Sequence, residues 1–284
     1  MSKPSLRDRI EQYYATVPLL FAEAETFGPL CLFVRKNAGA PYYGGPSHAR
    51  PTSAGGHVSP SAADIDLVRA RQRELGVPEA FEWLAEVTPS LRGRIEAAGL
   101  PVAERPLMIL DPLHQLPPQP LPAGVTIRAV DADDPALPEV MALPELAFAD
   151  EGTEVGSAGH AELAAVAEEL SADGAAATVR ASLRAGHKVL VAAFAPDGTP
   201  LAAGHYHPVN GTTEIGGVGT LPAARRQGLG AAVTAALAAH AREHGVATVF
   251  LAYAEEAVAR IYARLGFRPA GTTLLIANQP ARGQ

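Results

Sequence analysis

One cysteine in 284 residues rules out an intramolecular disulfide. That residue, Cys31, sits in the apolar run Leu30-Cys31-Leu32-Phe33-Val34 and reads as a strand residue of the interior, not a nucleophile. No stretch of 18 or more apolar residues occurs, which excludes an ordinary membrane-spanning helix. Met1-Ser2-Lys3-Pro4-Ser5 leads into a charged amphipathic segment and lacks the pattern of a secretory signal, so the expected location is cytoplasmic, without a membrane partner. There is no long basic block and the formal net charge is −7, which argues against nucleic acid as a partner. No Gly-Lys-Ser/Thr follows any glycine loop, so a P-loop is excluded. Aromatics are few, at 6%, and Ala-rich helices supply much of the apolar content of a chain long enough for two cores.

What is present is punctuation. Ser5 opens an amphipathic helix expected to run to about Glu25, with Leu6, Ile10, Tyr13, Tyr14, Val17 and Phe21 on one stripe. A short strand at Leu30–Val34 follows, then a Gly-, Pro-, Ser- and His-rich stretch from Gly39 to Pro60 without periodicity, which reads as a loop. Ser61 caps a second helix that ends at Gly76. A strand over Glu79–Ala85, a helix over Pro89–Ala98 and a strand over Pro106–Leu110 complete the first half.

Prolines at 112, 117, 118, 120 and 122 then make a stiff connector. The expected organisation is therefore a domain at 1–111, a linker at 112–124 and a second domain at 125–284. The second half opens with a strand at Val125–Arg128 and helices around Pro135–Phe148, His160–Leu170 and Ala175–Ala185. Three strands follow, turning at Asp197-Gly198 and Asn210-Gly211, the strongest short hairpin signals. A helix to about His244, a strand at Ala247–Tyr253, a helix at Glu255–Arg264 and a last strand at Arg268–Ala277 make a mixed α/β domain.

A faint repeat links the halves. Arg73-Glu74-x-Gly76-Val77 followed by Phe81 reappears as Arg242-Glu243-x-Gly245-Val246 followed by Phe250, and Leu91–Gly99 echoes Val258–Gly266. The fold class expected is thus α/β, as two tandem domains, each a mostly antiparallel twisted sheet flanked by helices.

The stretch Thr213-Glu214-Ile215-Gly216-Gly217-Val218-Gly219-Thr220, with Arg225-Arg226-Gln227-Gly228-Leu229-Gly230-Ala231 after it, reads as strand, glycine turn and helix start. Such a turn aims unpaired N–H groups at an anion, and a pyrophosphate suits it. Gly216, Gly217 and Gly219 point to close backbone approach or a bulge. A dinucleotide fingerprint fits poorly, since Val233 stands where a third small residue is needed and the preceding hairpins are not a βαβ unit.

Arg225-x-x-Gly228-x-Gly230 resembles the acyl-CoA pyrophosphate loop of the GNAT superfamily of N-acyltransferases. Ala257–Phe267, with Tyr262 and Gly266-Phe267, resembles that superfamily's later helix-and-turn segment, roughly 30 residues on. The whole chain also resembles tandem members in which one half has lost the cofactor site; here the first half lacks the Arg-x-x-Gly-x-Gly pattern. The resemblance implies acetyl-CoA as co-substrate and no metal. It implies that backbone of Val218, Gly219 and Thr220 pairs with the pantetheine arm, and that Arg225, Arg226, Gln227, Gly228, Leu229, Gly230 and Ala231 hold the pyrophosphate. It further implies an amine acceptor, on a small molecule or a peptide, in a monomer or homodimer. Glu255 stands where the family often has Asn.

An alkyl amine, with a pKa of roughly 10, must lose a proton before attacking a thioester. Glu214, eleven residues before Arg225, matches the strand glutamate that serves as base in some members; the other reading is a solvated strand residue. Tyr262 matches the tyrosine that protonates the leaving thiolate, where the first half has Ile95; the other reading is a core tyrosine. A backbone N–H near Val218 would meet the oxyanion. His205 and His207 share a strand face, as acceptor-site groups, an alternative base, or structural residues; a third metal ligand is lacking. Asp150, Glu151 and Glu154 form an acidic loop that would suit a cationic acceptor or be simply solvated. The reading from another class is a non-catalytic acyl-CoA sensor.

Overall fold

The computed structural model describes residues 4–36, 47–52, 58–150, 152–172 and 174–276. The chain divides into two compact units: the first gathers the chain up to Leu107 together with the stretch from Pro269 onward, and the second is built on Met108–Arg268. The Pro-rich stretch at 112–124 thus belongs to the second unit, and most of the last strand to the first.

In the first unit, Ser5 closes the start of α1 (Leu6–Thr16) with a capping box: its hydroxyl accepts from the Asp8 N–H at 3.2 Å and the Asp8 carboxylate accepts from the Ser5 N–H at 2.9 Å. The helix is shorter than its sequence suggests. A 3-10 turn at Val17–Leu20 ends it, and β1 (Ala22–Phe27) pairs antiparallel with β2 (Leu30–Arg35). Ala and Glu favour helix, but the hairpin at Gly28 (φ +58°) and the β2 partner override that preference. β3 (Ser47–Pro51) adds to β2 within the stretch read as loop; residues 39–46 and 53–57 of that stretch lie outside the described residues. All five β3 residues are buried, and Ser47, His48 and Arg50 are polar. No apolar alternation announces such a strand. Its burial rests instead on pairing: Arg50 meets Glu11 at 2.9 Å and lies over the Tyr14 ring.

A second capping box, Ser61 with Asp64, opens α2 (Ala62–Glu74). β4 (Glu82–Leu84) follows, preceded by a parallel bridge between Ala49 and Phe81, then α3 (Leu91–Ala97) and β5 (Ala103–Leu110).

The second unit contains β6 (Thr126–Ala129), α4 (Leu137–Ala149), α5 (His160–Ala172), α6 (Ala175–Arg184), β7 (Val189–Phe194), β8 (Pro200–Tyr206), β9 (Thr212–Thr220), α7 (Leu229–Glu243), β10 (Thr248–Ala252) and α8 (Glu256–Arg264). Its strands lie in the order β10-β9-β8-β7-β6; the pairs are antiparallel except β10 with β9, which is parallel. The hairpin turns are where the sequence puts them, with Asn210 at φ +49° and Gly211 at φ +70°, as a type I′ turn requires.

The last strand, β11 (Phe267–Leu275), pairs antiparallel with β4, setting Leu274 against Trp83. Thr273 hydrogen-bonds the Tyr14 hydroxyl at 3.1 Å. The repeat is visible in the helix ends. Gly76 (φ +66°) and Gly245 (φ +79°) terminate α2 and α7 with the same motif, the Val77 N–H bonding Gln72 O at 3.1 Å and the Val246 N–H bonding Ala241 O at 3.0 Å. Both units are mixed α/β with largely antiparallel pairing.

Candidate active site

β9 carries a bulge where its glycines cluster. Ala203 pairs with Gly219 but His205 with Gly216, so Gly204 alone faces both Gly217 and Val218. Gly217 has φ +60°, and a Cβ there would stand 2.6 Å from the His205 ring. Gly219 is glycine for another reason: its Cβ would stand 2.9 Å from Pro144 Cα and Ala147 Cβ of α4.

These contacts assign the sheet faces. Tyr206 reaches towards α7, where its hydroxyl meets His240 Nδ1 at 2.8 Å. His205 and His207 therefore point to the opposite face, the one α4 covers at Gly219. The register from Tyr206–Ile215 to Val209–Thr212 sets His207 across from Glu214. The structure thus brings Glu214 (5% exposed), His207 (2% exposed) and His205 onto one face beside the bulge. The two imidazoles touch edge to face, centroids 5.3 Å apart. His207 Nδ1 donates to the His187 carbonyl at 2.6 Å. Burial first, then the nearby Lys188, bring His207 down to about 3 and hold His205 well below the usual imidazole range. Both rings are neutral at neutral pH. No group of three or more His, Cys, Asp or Glu able to hold a metal occurs among the described residues.

The parallel pairing of β9 with β10 runs from Thr212–Thr248 to Ile215–Leu251 and then stops, while β9 continues to Thr220. The backbone of Val218, Gly219 and Thr220 lies in that continuation, paired with β8 on one side and not with β10 on the other. It leads through Pro222–Ala224 to the turn. Arg226 (φ +66°) and Gly228 (φ +78°) are left-handed there, and α7 begins without a capping side chain. The first intrahelical donor is Ala232, bonding Gly228 O at 3.1 Å. The N–H groups of Leu229, Gly230 and Ala231 accordingly have no acceptor within the helix. Gly230 has room for a Cβ, its nearest neighbour Thr220 Oγ1 at 3.4 Å, so the protein itself does not demand glycine there. Uncapped amides, left-handed backbone and an unfilled cradle fit a phosphate anion. Arg226 and Gln227 are exposed at its rim.

Arg225, expected at the pyrophosphate, is 8% exposed and bonds Asp150, Glu154 O, Ala147 O and Asp150 O. The acidic loop is correspondingly engaged: Asp150 pairs with Arg225 and the Glu154 carbonyl accepts from it, whereas Glu151 lies outside the described residues. Lys188 beside the histidines, and Pro144 and Ala147 over Gly219, escaped the sequence reading; only the three glycines of β9 signalled a close neighbour.

Tyr262 lies in α8, 8% exposed, against Phe267 with centroids 6.1 Å apart. Burial pushes its phenol up to about 12, so it keeps its proton at neutral pH. Glu255 is the N-cap of α8 but makes no side-chain cap bond.

Residues 160–267 match the model of the acetyltransferase (GNAT) family. Among curated proteins none matches the sequence. Among solved structures, the chain is similar to a GCN5-related N-acetyltransferase from Kribbella flavida, 22% identical over 96% of this chain and 95% of that one, with a TM-score of 0.70. A tandem GNAT protein from the clavulanic acid biosynthesis pathway is 18% identical over 87% of this chain and 77% of its own, with a TM-score of 0.57. A GCN5-related N-acetyltransferase from Sphaerobacter thermophilus is 17% identical over 87% and 75%, with a TM-score of 0.54. At these identities the likeness is one of fold.

Proposed function

We propose that this chain, whose residues 160–267 match the model of the acetyltransferase (GNAT) family, transfers an acetyl group from acetyl-CoA to a primary amine of a small molecule or peptide. The observation that carries the reading is the open N-terminus of α7. α2, its counterpart in the first unit, is closed by Ser61 and Asp64, whose carboxylate and hydroxyl satisfy the amides there. α7 has no such cap and is preceded by the left-handed pair Arg226 and Gly228. This difference supports placing the donor in the second unit: the α7 amides are free to receive an anion, whereas the start of α2 already has the Asp64 carboxylate.

Bound acetyl-CoA would supply a thioester carbonyl. Leu229, Gly230 and Ala231 would hold its pyrophosphate through backbone N–H groups, with Arg226 adding charge. The unpaired edge of β9 from Val218 to Thr220 would hold the arm as an added strand. Glu214, on the face beside the bulge, takes the ammonium proton from the acceptor, directly or through a water. His207 across from it and His205 beside it are neutral neighbours of that carboxylate. The amide at the Val218 bulge would be the donor for the carbonyl oxygen, and Tyr262, protonated throughout the working range, would supply the proton for the leaving sulfur and regain one from the second proton lost by the acceptor nitrogen.

The test is a panel of primary amines with acetyl-CoA, reading released thiol. Glu214→Gln should lower turnover about 10²-fold or more with CoA affinity unchanged, and Tyr262→Phe should lower kcat about tenfold or more. Turnover unaffected by either change would remove these catalytic roles. CoA binding without turnover on any amine would make the domain an acyl-CoA sensor.

A further inference from the structure

Arg225 lies one residue before the left-handed Arg226 of the donor turn, yet its guanidinium points the other way. It bonds Ala147 O at 2.8 Å, in the last turn of α4, and Asp150 O at 2.6 Å. It also bonds Asp150 Oδ1 at 3.1 Å and Glu154 O at 3.2 Å. Two backbone bonds lace the same segments together: the Gly156 N–H to Pro222 O at 3.1 Å and the Ala223 N–H to Ala158 O at 3.0 Å. Gly156 fits tightly there, for a Cβ would stand 2.8 Å from Pro222 Cβ. Ala147, one of the residues Arg225 holds, is also the residue that presses on Gly219 beside the bulge.

We propose that Arg225 is a positioning residue that couples the donor turn to the α4–α5 loop, so that acyl-CoA bound at 226–231 orders the wall above the face carrying Glu214. The inference rests on the donor site proposed above. Its physical basis is that Arg225 directly follows the 3-10 turn Pro222–Ala224 and is bonded to Arg226, so a backbone fixed at 226–231 constrains the point from which the guanidinium reaches the loop. The guanidinium in turn donates to three carbonyls at the end of α4 and in the loop. Recruiting Arg225 to a phosphate would require giving up all four bonds from a nearly buried side chain, and the exposed Arg226 is the cation already at the rim. The acceptor side is therefore shaped by a residue of the donor motif.

The experiment is amide hydrogen exchange on the full chain, with and without CoA, for the wild type and Arg225→Lys, which keeps the charge but loses the fork. In the wild type CoA should slow exchange in both 226–231 and 152–158, the loop by about fivefold or more. In Arg225→Lys the turn should still be protected while CoA-dependent protection of the loop falls below about twofold. A merely structural arginine would speed loop exchange equally with and without CoA, so the ratio separates the two roles. Asp150→Asn, which retains all three carbonyl acceptors, guards against a folding defect; it should weaken the CoA-dependent loop protection and leave CoA affinity within about twofold. Loss of CoA binding in a folded Arg225→Lys would make Arg225 a phosphate ligand and overturn the proposal, as would a wild-type loop indifferent to CoA. Failure of the wild type to bind CoA at all is a different result: it removes the donor site itself.

Discussion

His48 in the first unit, with His205 and His207 in the second, is held below the ordinary imidazole range first by burial, then by Arg50 for His48 and by Lys188 for the other two. His48 and His207 come down to about 3. A group with a depressed native pKa contributes stability that is complete above its unfolded value and is lost as pH falls towards the native one. The window therefore opens near pH 6.5 and extends downward, and each such imidazole contributes a slope of about 1.4 kcal/mol per pH unit within it. Urea unfolding of the wild type at pH 7, 6 and 5 should show stability declining through this range, before most carboxylates begin to titrate. In His207→Gln, whose amide can still donate to the His187 carbonyl, the slope should fall by about one proton. An unchanged slope would mean that His207 is not kept neutral by the fold. Tyr262 runs in the opposite sense: its pKa is raised to about 12, so its contribution is complete below pH 10 and is lost as pH rises through 12.

Among the elements, β9 and α7 separate two reasons for glycine that look alike in sequence. Gly219 is small because α4 approaches, a Cβ meeting Pro144 and Ala147 at 2.9 Å, whereas at Gly230 the nearest atom is 3.4 Å away. Gly219→Ala should accordingly destabilise the second unit by about 1–3 kcal/mol through overpacking. Gly230→Ala, in the first turn of a helix, should leave stability unchanged or raise it by up to about 1 kcal/mol. CoA affinity, measured by calorimetry, should fall in Gly230→Ala; if it holds, the cradle is not where the phosphate sits. The strand–turn–helix around these glycines was legible in sequence because backbone demands leave a residue-type trace: left-handed Gly228, the Asn210-Gly211 turn, the Ser5 and Ser61 caps. β1 and β3 left no such trace. Ala22–Phe27 is built from helix-favouring residues held extended by β2, and Ser47–Pro51 is buried through His48 and Arg50, so apolar periodicity is silent about it. Arg225 was legible as a motif residue and not as a staple, since the three residues it bonds lie 71 to 78 positions away.

At the scale of the molecule, the pairing of β11 with β4 has a consequence that the order of the chain conceals. Leu274 and Ile276 belong to the same apolar cluster as Trp83, Phe81, Leu91 and Ile95, and Thr273 bonds the Tyr14 hydroxyl. The first unit is therefore incomplete as residues 1–111, because part of its core arrives about 160 residues later in the chain. Ending the chain at Arg268 would uncover the β4 edge and the Trp83 side of that cluster, removing two buried aliphatic side chains worth about 1.5–3 kcal/mol each. The chain has a single tryptophan, Trp83, which is 1% exposed, so its fluorescence reports on the first unit alone. In the protein ending at Arg268, Trp83 emission should shift to the red and its urea midpoint should fall well below that of the full chain. Appending residues 269–276 to a 1–111 fragment through a flexible Gly/Ser linker should restore a blue-shifted, cooperative transition that 1–111 alone lacks. Native-like Trp83 emission and an unchanged midpoint in the shortened protein would show that the first unit folds without its late-arriving strand.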